Sequence, residues 1–202
     1  MTINSALALL GFAFVMSITP GPSNFLLLAS GVNFGLARSV PLWLGISLGF
    51  LTMVFMVGLG LGRVLTSFPL VYSALKLVCV AYVLWLAWKI ARSRAIGSGT
   101  ADELESPISF VQAALFQLVN PKAWAVALIV TISYTDQSNY LVSLVVTIGL
   151  FAIVNLPSIG VWLLSGVALK RLLGQGRRIA VFNIVMAGLL VGSMVPVLFS
   201  AP

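Results

Sequence analysis

Histidine is absent from these 202 residues, and cysteine occurs once, as Cys79. The first absence removes imidazole as an acid, base or metal ligand. The second removes any disulfide within the chain, and together they exclude the usual zinc and haem ligand sets. No cofactor is expected. Acids are nearly as scarce: Asp102, Glu103, Glu105 and Asp136 are the only four. Charged residues of both signs make up 7% of the chain, against about a quarter in an ordinary soluble domain. What fills the sequence instead is apolar, 60% of residues with a mean hydropathy of +1.14. Such a composition belongs to a membrane protein.

Apolar stretches lie near 5–31, 40–62, 69–91, 108–133, 140–168 and 179–199. Each reaches or exceeds the roughly 20 residues that cross a bilayer as a helix. The expected fold is therefore an all-α integral membrane protein with six transmembrane helices. The first stretch has no basic residue before it and continues past Pro20 to Gly31. That is too long for the apolar core of a signal peptide, so it is read as a span.

A net charge of +7 would suggest nucleic acid in a soluble chain, but its placement says otherwise. Arg38 follows the first span, Lys89, Arg92 and Arg94 the third, and Lys170, Arg171, Arg177 and Arg178 lie between the fifth and sixth. With six crossings, these eight of the eleven basic residues share one face, and only Arg63 lies in a loop on the other. Positive charge stays in the cytoplasm, so both termini are expected in the periplasm. The charges themselves need carry no chemistry beyond topology and lipid contact.

One long polar segment, SRAIGSGTADELES from Ser93 to Ser106, interrupts the apolar pattern. It divides a single transmembrane domain into repeat one, about 1–92, and repeat two, about 107–202, with the linker 93–106 between them. Three crossings in each half make the halves enter from opposite sides, an inverted repeat. Matching irregularities support the division. In the run SITPGPSNFLLLASG the first span is broken at Thr19-Pro20-Gly21-Pro22, and the fourth is broken at Asn120-Pro121-Lys122. Each break also reads as a helix start, with Thr19 and Asn120 as N-caps and Pro20 and Pro121 at the first helical position.

Proline donates no backbone hydrogen bond, so the carbonyls of Met16, Ile18 and Gln117 are expected to be freed. Irregular backbone at membrane depth survives only where protein buries it or a polar cavity wets it. Half-helix N-termini suit a carboxylate, and freed carbonyls suit an ammonium. Together they describe a site for a zwitterion, of which an amino acid is the commonest in a cell. Simple proline kinks serving helix packing are the plainer account of the same prolines.

Lys122 is the only basic residue near the middle of a span, a costly place for charge and so a functional candidate. It also lies in the first turn after Pro121, the unfavourable end of a helix for a cation. That position calls for an anionic partner, most simply a substrate carboxylate, or for a lysine that releases its proton; a stem reaching for water or for backbone carbonyls is the structural alternative. Lys76, near a span end, can snorkel outward. Ser23, Asn24, Gln117, Asn120, Asn155, Ser158 and Asn183 are uncharged polar residues within spans, suited to interhelical hydrogen bonds. Asn24 and Asn120, beside the breaks, are the stronger candidates for substrate contact. Pro157, in NLPS, is expected to bend the fifth span. Gly45 and Gly49 form a GxxxG that permits close helix approach and implies no dimer by itself. Trp85, Trp88 and Lys89 end the third span as an interfacial belt. No acid lies within a span, so a buried carboxylate relay is absent and a cationic substrate side chain would meet no fixed counter-charge.

The segments TPGPSNFLLLASGVNFG, LGISLGF, YVLWLAWK and LVNPKAWAVAL resemble, in order and spacing, the lysine exporter (LysE/RhtB) family of bacterial amino-acid exporters. The pattern is most similar to its cysteine and O-acetylserine exporters. The resemblance covers the whole chain, with TPGP and NPKAW its most specific elements. It implies an inner-membrane secondary transporter on a three-plus-three helix fold, driven by the proton gradient and exporting small neutral amino acids or derivatives, including the homoserine and threonine type. Many relatives carry an acidic residue after the second-span glycine, where this chain has Phe50. That departure disfavours lysine or arginine as substrate.

The expected substrate site comprises Thr19, Pro20, Gly21, Pro22, Ser23, Asn24, Asn120, Pro121, Lys122 and Asn155. Expected partners are an amino-acid substrate, protons as the coupling ion, and the lipid bilayer. Nucleic acid is not among them, and the sequence leaves the oligomeric state open. Two other classes stay open at this stage: a membrane-embedded enzyme with a Ser–Lys dyad around Lys122, and a helical assembly subunit without transport of its own.

Overall fold

The computed structural model describes residues 2–61, 69–92, 106–136, 138–173, 177–193 and 195. Arg63, most of the linker (93–105) and the side chains of Lys76 and Cys79 lie outside the described residues. The described residues form seven helices: α1 (Ile3–Ile18), α2 (Pro22–Gly58), α3 (Pro69–Arg92), α4 (Phe110–Val119), α5 (Pro121–Ser133), α6 (Tyr140–Leu173) and α7 (Arg177–Gly192). Among these residues α2 and α6 have the length and apolar composition that a membrane crossing needs, and the α4–α5 pair, bent by 74°, makes a third if its two helices form one span.

The breaks follow local rules, with one correction. Thr19 closes α1 with its N–H on the Val15 carbonyl at 3.1 Å. It is a C-cap, not the expected N-cap, and Pro20 does not start a helix. The next helix begins at Pro22, with Gly21 extended before it (φ −177°, ψ 173°). The reason is Pro22 itself: a residue preceding proline is pushed out of the helical region, so Gly21 cannot join a helix begun at Pro20. At the second break the expectation and the structure agree. Asn120 caps α5 by accepting the Lys122 N–H at 3.1 Å, and Pro121 takes the first helical position.

A further break lies inside α2. Gly35 adopts φ 77°, ψ −179°, open to glycine but not to other residues. The hydroxyls of Ser30 and Ser39 meet at 2.7 Å, whereas nine residues along a straight helix would separate them by about 13 Å. The two arms of α2 therefore fold back on each other. The first arm ends before Gly35, which gives it the same 13-residue length as α5. Pro157 lies inside α6.

Polarity is inverted relative to a soluble protein. Asn33, Ser39, Ser47, Gln117, Thr147 and Asn183 are buried, while Ile3, Leu77, Ile132, Ile153 and Leu172 are more than two-thirds exposed. Lipid tails are as apolar as leucine, so the bundle is held by close packing and interhelical hydrogen bonds. Gly45 and Gly49 supply the close approach by facing Phe110, Ala113 and Ala114 of α4. The GxxxG thus serves the bundle. Asn33 and Asn183 exchange two amide hydrogen bonds, at 2.7 and 2.9 Å, between α2 and α7.

Among the described residues the basic ones other than Lys122 gather at one end. Lys89 and Ile90 of α3 line a small cavity with Asn33, Phe34 and Ile108, and Val32 packs with Leu169, Leu173 and Ile179. Lys89 lies over Trp85, Arg92 over Trp88 and Arg38 over Phe34, at 5.7, 4.9 and 5.4 Å. At the other end Tyr140 donates to the Gly58 carbonyl at 2.9 Å. In the α5–α6 turn there, hydrogen bonds from the backbone and hydroxyl of Ser138 hold the exposed Asp136 below its ordinary carboxyl pKa.

Candidate functional site

A cavity lies between the two larger apolar clusters of the interior. Ile46 and Ile159 come from the cluster centred on Leu27, Leu86, Phe116 and Leu163. Phe50, Ala123, Val126 and Phe151 come from the one centred on Leu9, Met53 and Val130. The cavity measures about 50 Å³ and is also lined by Met16, Ser17, Gly21, Pro22, Ser23, Asn24, Gln117, Asn120, Lys122 and Asn155. That volume holds roughly three or four waters. Both helix breaks therefore border one small space.

Two hydrogen-bond networks frame it. On one side the Ser23 hydroxyl donates to Gln117 Oε1 at 3.1 Å and accepts from Asn120 Nδ2 at 2.9 Å, which ties the two breaks together. On the other, Asn155 Nδ2 donates to Ser17 Oγ at 3.0 Å, and its Oδ1 accepts from Ser47 Oγ at 3.0 Å. This second network joins α1, the second arm of α2 and α6. Buried amides and hydroxyls without such partners would cost about 1–3 kcal/mol each.

The carbonyls at the first break are used by the protein's own donors. Trp162 Nε1 donates to Ile18 O at 3.0 Å, and Asn24 Nδ2 donates to both Ser17 O and Thr19 O at 2.9 Å. At the second break Gln117 O accepts the Asn120 N–H at 3.2 Å. The expectation that Ile18 and Gln117 would offer open carbonyls is therefore corrected. The carbonyls that do hold a cation are those of Thr19 and Pro20, and the cation is Lys122: its Nζ lies 2.7 Å from Thr19 O and 3.4 Å from Pro20 O. The N-termini of the two second half-helices also differ. Asn120 caps α5, whereas Gly21 offers α2 no side-chain cap.

Of the expected residues, Gly21, Pro22, Ser23, Asn24, Asn120, Lys122 and Asn155 line the cavity together. Thr19 and Pro20 are exposed beside it and meet Lys122 through their carbonyls. Pro121 begins α5 and is not among the lining residues. Met16, Ser17, Ile46, Phe50, Ala123, Val126, Phe151 and Ile159 line it without having been expected, as does Gln117, noted in the sequence only as a polar span residue. The Phe50 and Phe151 rings lie 5.2 Å apart. Nothing in the sequence had marked the two rings as neighbours.

Residues 14–199 match the family model described as LysE type translocator. The chain belongs to that family. It is 32% identical over 183 residues to the cysteine/O-acetylserine efflux proteins of Escherichia coli K12, Escherichia coli O1:K1 and Shigella flexneri serotype 5b, a match covering 89% of this chain and 90% of each relative. No solved structure matches it.

As a LysE-type translocator the protein is a transporter and not an enzyme. Lys122 Nζ bonds carbonyl oxygens, and the Ser23 hydroxyl donates to the Gln117 amide oxygen. The translocator's cavity has no carboxylate among its lining residues.

Proposed function

We propose that this translocator exports small neutral amino acids of the cysteine and O-acetylserine kind across the bacterial inner membrane, and that the substrate occupies the cavity between the two helix breaks. The observation that carries the reading is the pairing of an uncapped helix N-terminus at Gly21–Pro22 with the Lys122 ammonium on a cavity lined by no acid. The substrate carboxylate would lie at that N-terminus with Lys122 as its counter-charge. Ser23, Asn24, Asn120 and Asn155 supply neutral polar contacts, and Thr19, Pro20, Pro22 and Pro121 hold the breaks open. Ile46, Phe50, Val126 and Phe151 form the apolar wall for a side chain. The small volume favours a short one.

The architecture proposed for this task is six crossings in two inverted halves, with both termini periplasmic. Its support is the shared order of elements: a half-helix, a break at proline, a second half-helix of equal length and then a long helix (α1 and α2 in one half, α4 to α6 in the other). The gathering of basic residues at one end agrees with it. The proton gradient is the proposed driving force.

Transport by purified protein in liposomes tests the reading. Labelled O-acetylserine or cysteine should cross unaltered, faster when a proton gradient is imposed, and labelled lysine should not. Protein that inserts correctly and moves no neutral amino acid in either gradient would exclude this function.

A further inference from the structure

Lys122 stands at the wrong end of its own helix. Its side chain rises from the first turn of α5, where the helix dipole repels a cation, and crosses to Thr19 and Pro20, just past the last turn of α1, where the dipole attracts one. Gly21 makes room for the crossing. A Cβ there would lie 3.0 Å from Lys122 Cδ, tighter than ordinary contact, and 3.4 Å from Nζ. The lysine thus ties the break in one half of the chain to the break in the other, at the edge of the cavity.

A primary ammonium on a carbon stem, held by two backbone carbonyls, is chemically the same arrangement that the α-ammonium of an amino acid requires. We infer that Lys122 is a placeholder for the substrate's ammonium: in the empty transporter it occupies the Thr19 and Pro20 carbonyls, and an arriving substrate displaces it from them. The inference rests on the proposed export of amino acids. The uncapped α2 N-terminus adjoins these carbonyls, so a ligand whose carboxylate lies at the first can reach the second with its ammonium. Displaced from the carbonyls, Lys122 turns to that carboxylate. A ligand with only one of the two charges cannot complete the exchange. The lysine therefore selects for a free amino group and a free carboxylate on the same molecule, and it closes the tie between the halves again once the substrate has left.

Placeholder occupancy lowers the apparent affinity of any competing amine by the fraction of time the carbonyls are taken. Ethanolamine, an amine without a carboxylate, reads this out directly. Its binding to detergent-purified parental protein and to Lys122→Met should differ by about tenfold or more in favour of the variant, as expected when a competitor present about nine-tenths of the time is removed. Export of O-acetylserine by the same variant in liposomes should fall by a similar factor or more. Lys122→Gln keeps a polar amide at the break and carries the same measurement should the methionine variant insert poorly. Lys122→Arg retains a cation able to reach the carbonyls and should bind ethanolamine as weakly as the parent. Ethanolamine affinity that is unchanged or weaker in the inserted neutral variants overturns the placeholder. Export by the parental protein is measured alongside, so a failure of the exporter reading shows separately from a failure of this one.

Discussion

Gly31 of α2 and Gly166 of α6 meet backbone to backbone. A Cβ on Gly31 would lie 2.4 Å from the Leu163 carbonyl oxygen, and one on Gly166 would lie 2.2 Å from that of Leu28. The obstacle in each case is main chain, which cannot rotate aside as a side chain can. This contact sets the distance between the half-helix after the first break and the helix that carries Asn155 to the cavity.

Gly166→Ala should therefore force α2 and α6 apart. Overpacking of this kind costs about 1–3 kcal/mol, read as a lowered Tm of the purified protein and reduced transport. Gly188→Ala is the matched control, since nothing lies within 4 Å of a Cβ there. It should leave Tm unchanged or slightly raised.

Asn24 bridges the end of α1 to the start of α2 through two carbonyls. Asn24→Leu keeps a similar volume and leaves the Ser17 acceptor without that donor. The expected loss is about 1–3 kcal/mol of stability, with export falling further than the quantity of inserted protein. Equal export per inserted molecule would remove Asn24 from the transport site.

Replacing Pro20 and Pro22 together by alanine releases Gly21 from its extended conformation and lets α1 continue into α2. Insertion should persist and export should cease. Pro20→Ala alone should be milder, because the helix restarts at Pro22. Parental export by the double variant would reduce the TPGP run to a packing feature.

Phe50 faces the cavity beside Phe151. A carboxylate introduced there by Phe50→Glu would give a cationic side chain the counter-charge that the cavity's lining lacks. Competition assays should show export of neutral substrate reduced and inhibition by lysine gained. Unchanged preference would mean that the Phe50 position does not face the transported side chain.

Topology can be checked with reporters that are active only in the periplasm. A fusion after Pro202 should be active and one within Gly97–Gly99 silent. The reverse pattern would invert the orientation proposed from the basic residues.

Local chemistry was legible in the sequence wherever a residue acts on its own neighbours. The missing N–H of proline located both helix breaks, and the short side chain of Asn120 ahead of Pro121 fixed the start of α5. An apolar surface with few charges fixed the membrane as solvent, because no water-soluble fold could bury so much of it. The same local reasoning misplaced the start of α2 by two residues, since Thr19-Pro20 and Gly21-Pro22 offer competing starts and the second proline excludes the first. The close approach of Ser30 and Ser39 around Gly35 was not read either, for glycine permits a reversal without requiring one.

Only the tertiary structure decided which groups share the cavity. Ser17 meets Asn155 and Ser23 meets Gln117 across long stretches of chain, and no spacing rule predicts such pairs. The tertiary structure also assigned the freed carbonyls, giving Ile18 O to Trp162 and those of Thr19 and Pro20 to Lys122. The sequence determined where backbone hydrogen bonds must stop, because proline acts within one turn of helix. What takes their place depends on which distant side chain is brought within about 3 Å, and that distance is set by how closely glycine-lined helices pack.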